Sequence, residues 1–244
     1  MSDNPVFSEK SFKVNPQDLT EKPMTLNGTI IKTFILTLIV CLAGAYGWSQ
    51  GKLHPNLIGL FVMGGGILGF AIALITTFKK EWSPVLSLVY SLAEGVFLGA
   101  MSLIFEMKYP GIVSQTVLCT IGVTFSCLFL YRSGLIKVDE KFKSVIFMAT
   151  AAIGLVYLAT FALSFFNIQI PYIHNSGLIG IGFSVFTTII ASLNLLVDFD
   201  FIDQASANGS FPNYMEWYGA FGLMVTLVWV YIEILRLLSK LRRN

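Results

Sequence analysis

Among the carboxylates inside or beside long apolar runs, five stand out: Glu94, Asp198, Asp200, Asp203 and Glu216. A carboxylate close to hydrocarbon is costly unless it pairs, hydrates or takes up a proton. These are therefore the positions where proton or cation chemistry is expected. Glu94 lies in LVYSLAEGVFLGAMS, well away from both ends of its apolar run. An ionised side chain at mid-bilayer is disfavoured by about 2.5–3.5 kcal/mol on insertion scales, so Glu94 should face the protein interior. Two roles are open to it there: a neutral group hydrogen-bonded to a neighbouring helix, or part of a proton or cation path.

The three aspartates fall in LNLLVDFDFIDQ, where the apolar run is expected to end near residue 199. Asp198 and Asp203 then suit a solvated boundary, while Asp200, between Phe199 and Phe201, should be drawn inward. Two carboxylates forced together cannot both ionise cheaply and share a proton. An Asp198/Asp200 pair would be a pH switch. On deprotonation it would either push one helix against another or open a hard-oxygen site for transient Ca²⁺. Glu216 opens the last apolar run, where a carboxylate also suits the helix dipole. Glu233 and Arg236, three residues apart, read as a local ion pair with a snorkelling arginine, and Lys32 should snorkel too.

The elements that must position these groups are membrane helices. Of the 244 residues 55% are hydrophobic and 12% charged, against roughly 25% charged in a soluble domain. Mean hydropathy is +0.73. A net charge of +2 is too small and scattered for nucleic-acid binding. Segments near 28–48, 56–78, 84–105, 112–131, 144–165, 177–199 and 215–238 each reach the length of about 20 residues that a spanning helix needs. The expected organisation is all-α: a polar tail over 1–27, a seven-helix membrane domain over 28–238 and a basic tail over 239–244. The tail lacks the apolar core of a cleavable signal peptide.

Basic residues in short loops place the N-terminus in the cytoplasm. Lys10, Lys13, Lys22, Lys79, Lys80, Arg132, Lys137, Lys141 and Lys143 fall on one side, against Lys52 and Lys108 on the other. Arg236, Lys240, Arg242 and Arg243 pull the other way. Gly64, Gly65, Gly66, Gly69, Gly95 and Gly99 have the small-xxx-small spacing of close helix packing, and Gly177, Gly180 and Gly182 open the sixth segment. Ser83-Pro84 should start the third helix, with a capping hydroxyl and a first-turn proline.

Cys41, Cys119 and Cys127 read as buried small hydrophobes. Cys119 and Cys127 lie about 12 Å apart along one helix, too far for a disulfide. His54 and His174 fall in loops without metal-ligand spacing, and no cofactor is expected. Enzyme readings fail on placement. No histidine shares the membrane with a nucleophile, the aspartates crowd one boundary, and Lys240 lies beyond the last span.

The segments DFDFIDQ and EWYGAFGLMVTLVWVYIEILRLLSKLR, with NPVF at Asn4–Phe7 and PVLSLVYSLAEGVFLGAMS, together resemble the Bax-inhibitor family in its bacterial YccA-like branch. The resemblance spans essentially the whole chain. It implies six helices around the last one, a bacterial plasma membrane, and a pH-sensitive Ca²⁺ leak with an aspartate pair linking the sixth and seventh helices. The first aspartate of that pair would fall on Asp200. Counting back from Leu235–Arg236 puts the second on Thr226, which cannot carry charge. The sensor therefore does not carry over intact: either Asp200 works instead with Asp198, Glu216 or Glu94, or the protein lacks the leak altogether. The competing expectation is a non-conducting regulator that binds another membrane protein, such as a quality-control protease, through its small-residue faces.

Overall fold

The computed structural model describes residues 22–164, 166 and 177–243. The NPVF segment, Lys10, Lys13, most of the polar tail and His174 lie outside them. Among the described residues the fold is all-α, with seven helices: α1 (Leu26–Leu53), α2 (Ile58–Phe78), α3 (Ser83–Lys108), α4 (Ile112–Arg132), α5 (Glu140–Ser164), α6 (Leu178–Asn208) and α7 (Tyr214–Leu241). Each is long and apolar enough to cross a membrane. Their outer faces carry large apolar side chains such as Phe34, Phe70, Phe78, Phe125 and Leu178, all mostly exposed. In water such faces would be a liability; in a bilayer they meet hydrocarbon. The chain is an integral membrane protein.

The described residues gather into two compact units, one of residues 22–110 with 201–225, the other of 111–200 with 226–243. In the first, α3 carries the most buried face, including Tyr90, Leu98, Ala100 and Leu103. Its approach to α1 depends on absent side chains. A Cβ on Gly99 would overlap the Gly44 carbonyl, and one on Gly95 would come within 2.6 Å of the Ala43 Cβ. The small-residue spacing read from the sequence is thus a helix-packing device here. In the second unit Ile146, Ile153 and Ile190 form a core packed by Phe142, Leu193, Val197 and Trp229.

Three local expectations are corrected. First, α6 does not stop near residue 199 but continues to Asn208. Nothing between Asp198 and Asn208 breaks a helix, Ile202 and Ala205 are buried, and the stop comes at Gly209 with φ +62°, the left-handed conformation that ends helices. Second, Ser83 does not cap α3. Trp82 holds the N-cap position without a side-chain bond, and the Ser83 hydroxyl donates to the Tyr214 carbonyl at 3.0 Å. Pro84 does sit in the first turn. Third, only Cys127 is buried, donating to the Ser192 carbonyl at 3.4 Å; Cys41 and Cys119 are exposed on outer helix faces. A thiol is apolar enough to face lipid.

Candidate functional site

In the first unit the functional candidate is Glu94. It is buried at 7% exposure, one turn beyond Tyr90, whose ring meets Phe221 edge-on at 5.1 Å. Its carboxylate lies where a side chain on Gly69 of α2 would have to be, so Oε2 occupies room made by the missing Cβ. Among the described residues no hydrogen bond or ion pair satisfies it. Of the two readings open to Glu94, a neutral group bonded to a neighbouring helix lacks its partner there.

Glu216, in the same unit, is 2% exposed and fully engaged. It accepts from the Thr25 amide and hydroxyl at 2.8 Å each and is ion-paired with Lys32. The Thr25 hydroxyl in turn accepts from the Gly28 amide at 3.0 Å, capping α1. Gly28 has no side chain because the Glu216 carboxylate fills that space. Lys32 therefore does not snorkel. Its ammonium is held by Glu216 and stands 5.4 Å from the centre of the Trp217 ring. Glu216 fastens the start of α7 to the start of α1.

In the second unit the extension of α6 changes what the aspartates can do. Residues two apart on a helix point about 200° apart around the axis, so Asp198 and Asp200 face different neighbours. They do not form the expected proton-sharing pair, nor a joint Ca²⁺ site. Asp200 pairs with Lys143 at 2.8 Å and accepts from the Tyr131 hydroxyl at 3.4 Å. Lys143 also reaches Glu140 at 3.2 Å. Asp198 turns the other way and accepts from the Thr226 hydroxyl. Its Oδ2 is enclosed and has no partner among the described residues. The residue opposite Thr226 is thus Asp198, not Asp200. Asp203, on the next turn, is half-buried, and its carbonyl accepts from Ser206 at 3.0 Å.

Glu233 is the most heavily bonded of these carboxylates, and the sequence reading found only one of its partners, Arg236. It is 1% exposed, and the expected pair with Arg236 forms but is one of four bonds it accepts. Oε1 accepts from Tyr157 at 2.8 Å, Trp229 at 3.2 Å and Arg236 at 3.4 Å, and Oε2 accepts from Thr187 at 2.8 Å. The Arg236 guanidinium lies 5.1 Å from the centre of the Tyr157 ring. Two turns further on, Lys240 donates to the Ser184 hydroxyl at 2.7 Å and the Gly180 carbonyl at 2.9 Å. Thr226, Glu233 and Lys240 repeat every seven residues on α7 and meet Asp198, Thr187 and Ser184 on α6 in reverse order, as antiparallel neighbours must. That heptad of polar residues was the signal available in the sequence.

A carboxylate held by four donors, as Glu233 is, suits a fixed anion. Glu94 and Asp198 keep unused acceptor capacity. Among the described residues no three His, Cys, Asp or Glu side chains gather as a metal-binding group, so an ion meeting Glu94 or Asp198 would need water and carbonyl oxygens as further ligands.

Comparison with known proteins gives one match. No curated protein and no solved structure matches the chain. A family model described as Bax inhibitor 1 like matches residues 4–243. Together with seven apolar helices, that near-complete match means that the chain belongs to the Bax inhibitor 1 like family.

Proposed function

We propose that this protein is a proton-modulated cation leak, with Ca²⁺ as the ion carried and Glu94 and Asp198 as the sites where protons and cations exchange. The observation that carries the reading is Glu94, a buried carboxylate in a membrane helix that no described residue satisfies. An unpaired ionised group there is expensive, so it needs a proton or a cation, and exchange between the two couples flux to pH. Asp198 supports the same reading, with one oxygen bonded by Thr226 and the other unused. Asp200 and Glu216, held by Lys143 and Lys32, serve as structural ion pairs. The orientation we assign places the N-terminus in the cytoplasm of a bacterium, with Lys79, Lys80, Arg132, Lys137 and Lys141 on that side.

The test is Ca²⁺ flux into liposomes holding the purified protein, from mildly acidic to mildly alkaline pH, beside Glu94→Gln and Asp198→Asn. The leak reading expects a pH-dependent flux that Glu94→Gln abolishes or renders insensitive to pH. Folded wild-type protein that passes no ion at any pH would sink it and favour a non-conducting regulator that binds another membrane protein.

A further inference from the structure

We propose that Ser87, Ser91 and Glu94 form a buried water-binding site on the inner face of α3. Residues at i, i+4 and i+7 share one helix face, so the two hydroxyls and the carboxylate line up over about 10 Å. Ser83, four residues earlier, begins the row at the start of the helix. Both Ser87 and Ser91 are fully buried, and neither hydroxyl has a hydrogen-bond partner among the described residues.

That lack of partners runs against the habit of this protein. A serine or threonine in an apolar helix ordinarily bonds back to the carbonyl four residues earlier. Thr33, Thr76, Thr120 and Ser192 all do so here, at 2.7–2.9 Å. Ser87 and Ser91 do not take that bond. Their hydroxyls lie on the face of Glu94, itself without a described partner. Three unsatisfied polar groups on one enclosed face are what buried water bridges, since each molecule needs two to four polar contacts. The Glu94 carboxylate fills the space left by the missing Gly69 side chain, which holds it on this face of α3.

The site gives Glu94 a local hydration shell inside the protein. It shares Glu94 with the leak reading, but water occupancy is measured without ion flux, so the two ideas fail separately. Radiolytic hydroxyl-radical labelling reads it out, because radicals formed from a bound water modify the ring beside it. The reporter is Tyr90, which is 4% exposed and lies between Ser87 and Glu94 on the same face. With purified protein in nanodiscs, wild-type Tyr90 should be labelled despite its burial. In Ser87→Ala/Ser91→Ala its labelling should fall several-fold, while Tyr46 and Tyr157 keep their rates. No label on wild-type Tyr90 would overturn the proposal without any variant. Equal labelling with and without the hydroxyls would overturn it too.

Discussion

Replacing Glu233 by leucine should destabilise the protein far more than replacing it by glutamine. The difference follows from counting donors. The carboxylate accepts from Tyr157, Trp229, Arg236 and Thr187. Leucine accepts from none. Thr187 can fall back on the Ser184 carbonyl, already 3.0 Å away, and Arg236 is exposed enough to find water. Tyr157 and Trp229 are then stranded. Membrane hydrogen bonds measured by double-mutant cycles average about 0.6 kcal/mol and reach about 1.7, while a stranded buried donor costs about 1–3 kcal/mol. Glu233→Leu should therefore cost about 2–4 kcal/mol.

Glutamine differs. Its oxygen can serve Tyr157 and Trp229, and its amide can donate to the Thr187 hydroxyl, which still donates to Ser184. Only the pairing with half-exposed Arg236 weakens, a loss of about 1 kcal/mol or less. Removing both partners at once, as in Glu233→Leu with Tyr157→Phe, should recover part of the leucine penalty, because no hydroxyl is left stranded. The assay is equilibrium unfolding in mixed micelles, with helicity as the signal. If glutamine proves as damaging as leucine, or Tyr157→Phe adds to the leucine penalty, the donor-counting argument is wrong.

Two further outcomes follow from the ion pairs and the register. Lys32→Met leaves the Glu216 carboxylate buried without its cation, a loss of about 3–5 kcal/mol by analogy with broken buried pairs. Adding Glu216→Gln should restore much of it, and thermal unfolding of the single and double variants decides the matter. Thr226→Asp puts a second carboxylate opposite Asp198. The two can share a proton in acid but repel once both ionise, so this variant should lose stability relative to wild type as pH rises. A flat difference across pH would mean that residues 198 and 226 do not face each other.

The helices were legible in the sequence because a bilayer imposes a length and an apolar composition that few other structures share. The carboxylates were harder. Aspartates near the end of an apolar run look like a boundary in the sequence, but Gly209 is what stops α6. A boundary there would put Asp198 in solvent and make it a partner for Asp200, which a continuous helix forbids. Lys32 and Glu216 are 184 positions apart, and nothing local to either announces the other. Glu233 was read with Arg236 alone because three-residue spacing is visible by eye. Its stronger partners, Tyr157 and Thr187, come from other helices. Glu94 needed no tertiary knowledge: its place in an apolar run was enough to put it inside.

The matched rows of polar groups on α6 and α7 limit how these two helices can move. Asp198 with Thr226, Thr187 with Glu233 and Ser184 with Lys240 fit together in one alignment only. Sliding α7 along α6 by a single turn, about 5.4 Å, would part Thr226 from Asp198 and Glu233 from Thr187 together. Over residues 184–198 and 226–240 the two helices should therefore travel together as one strut.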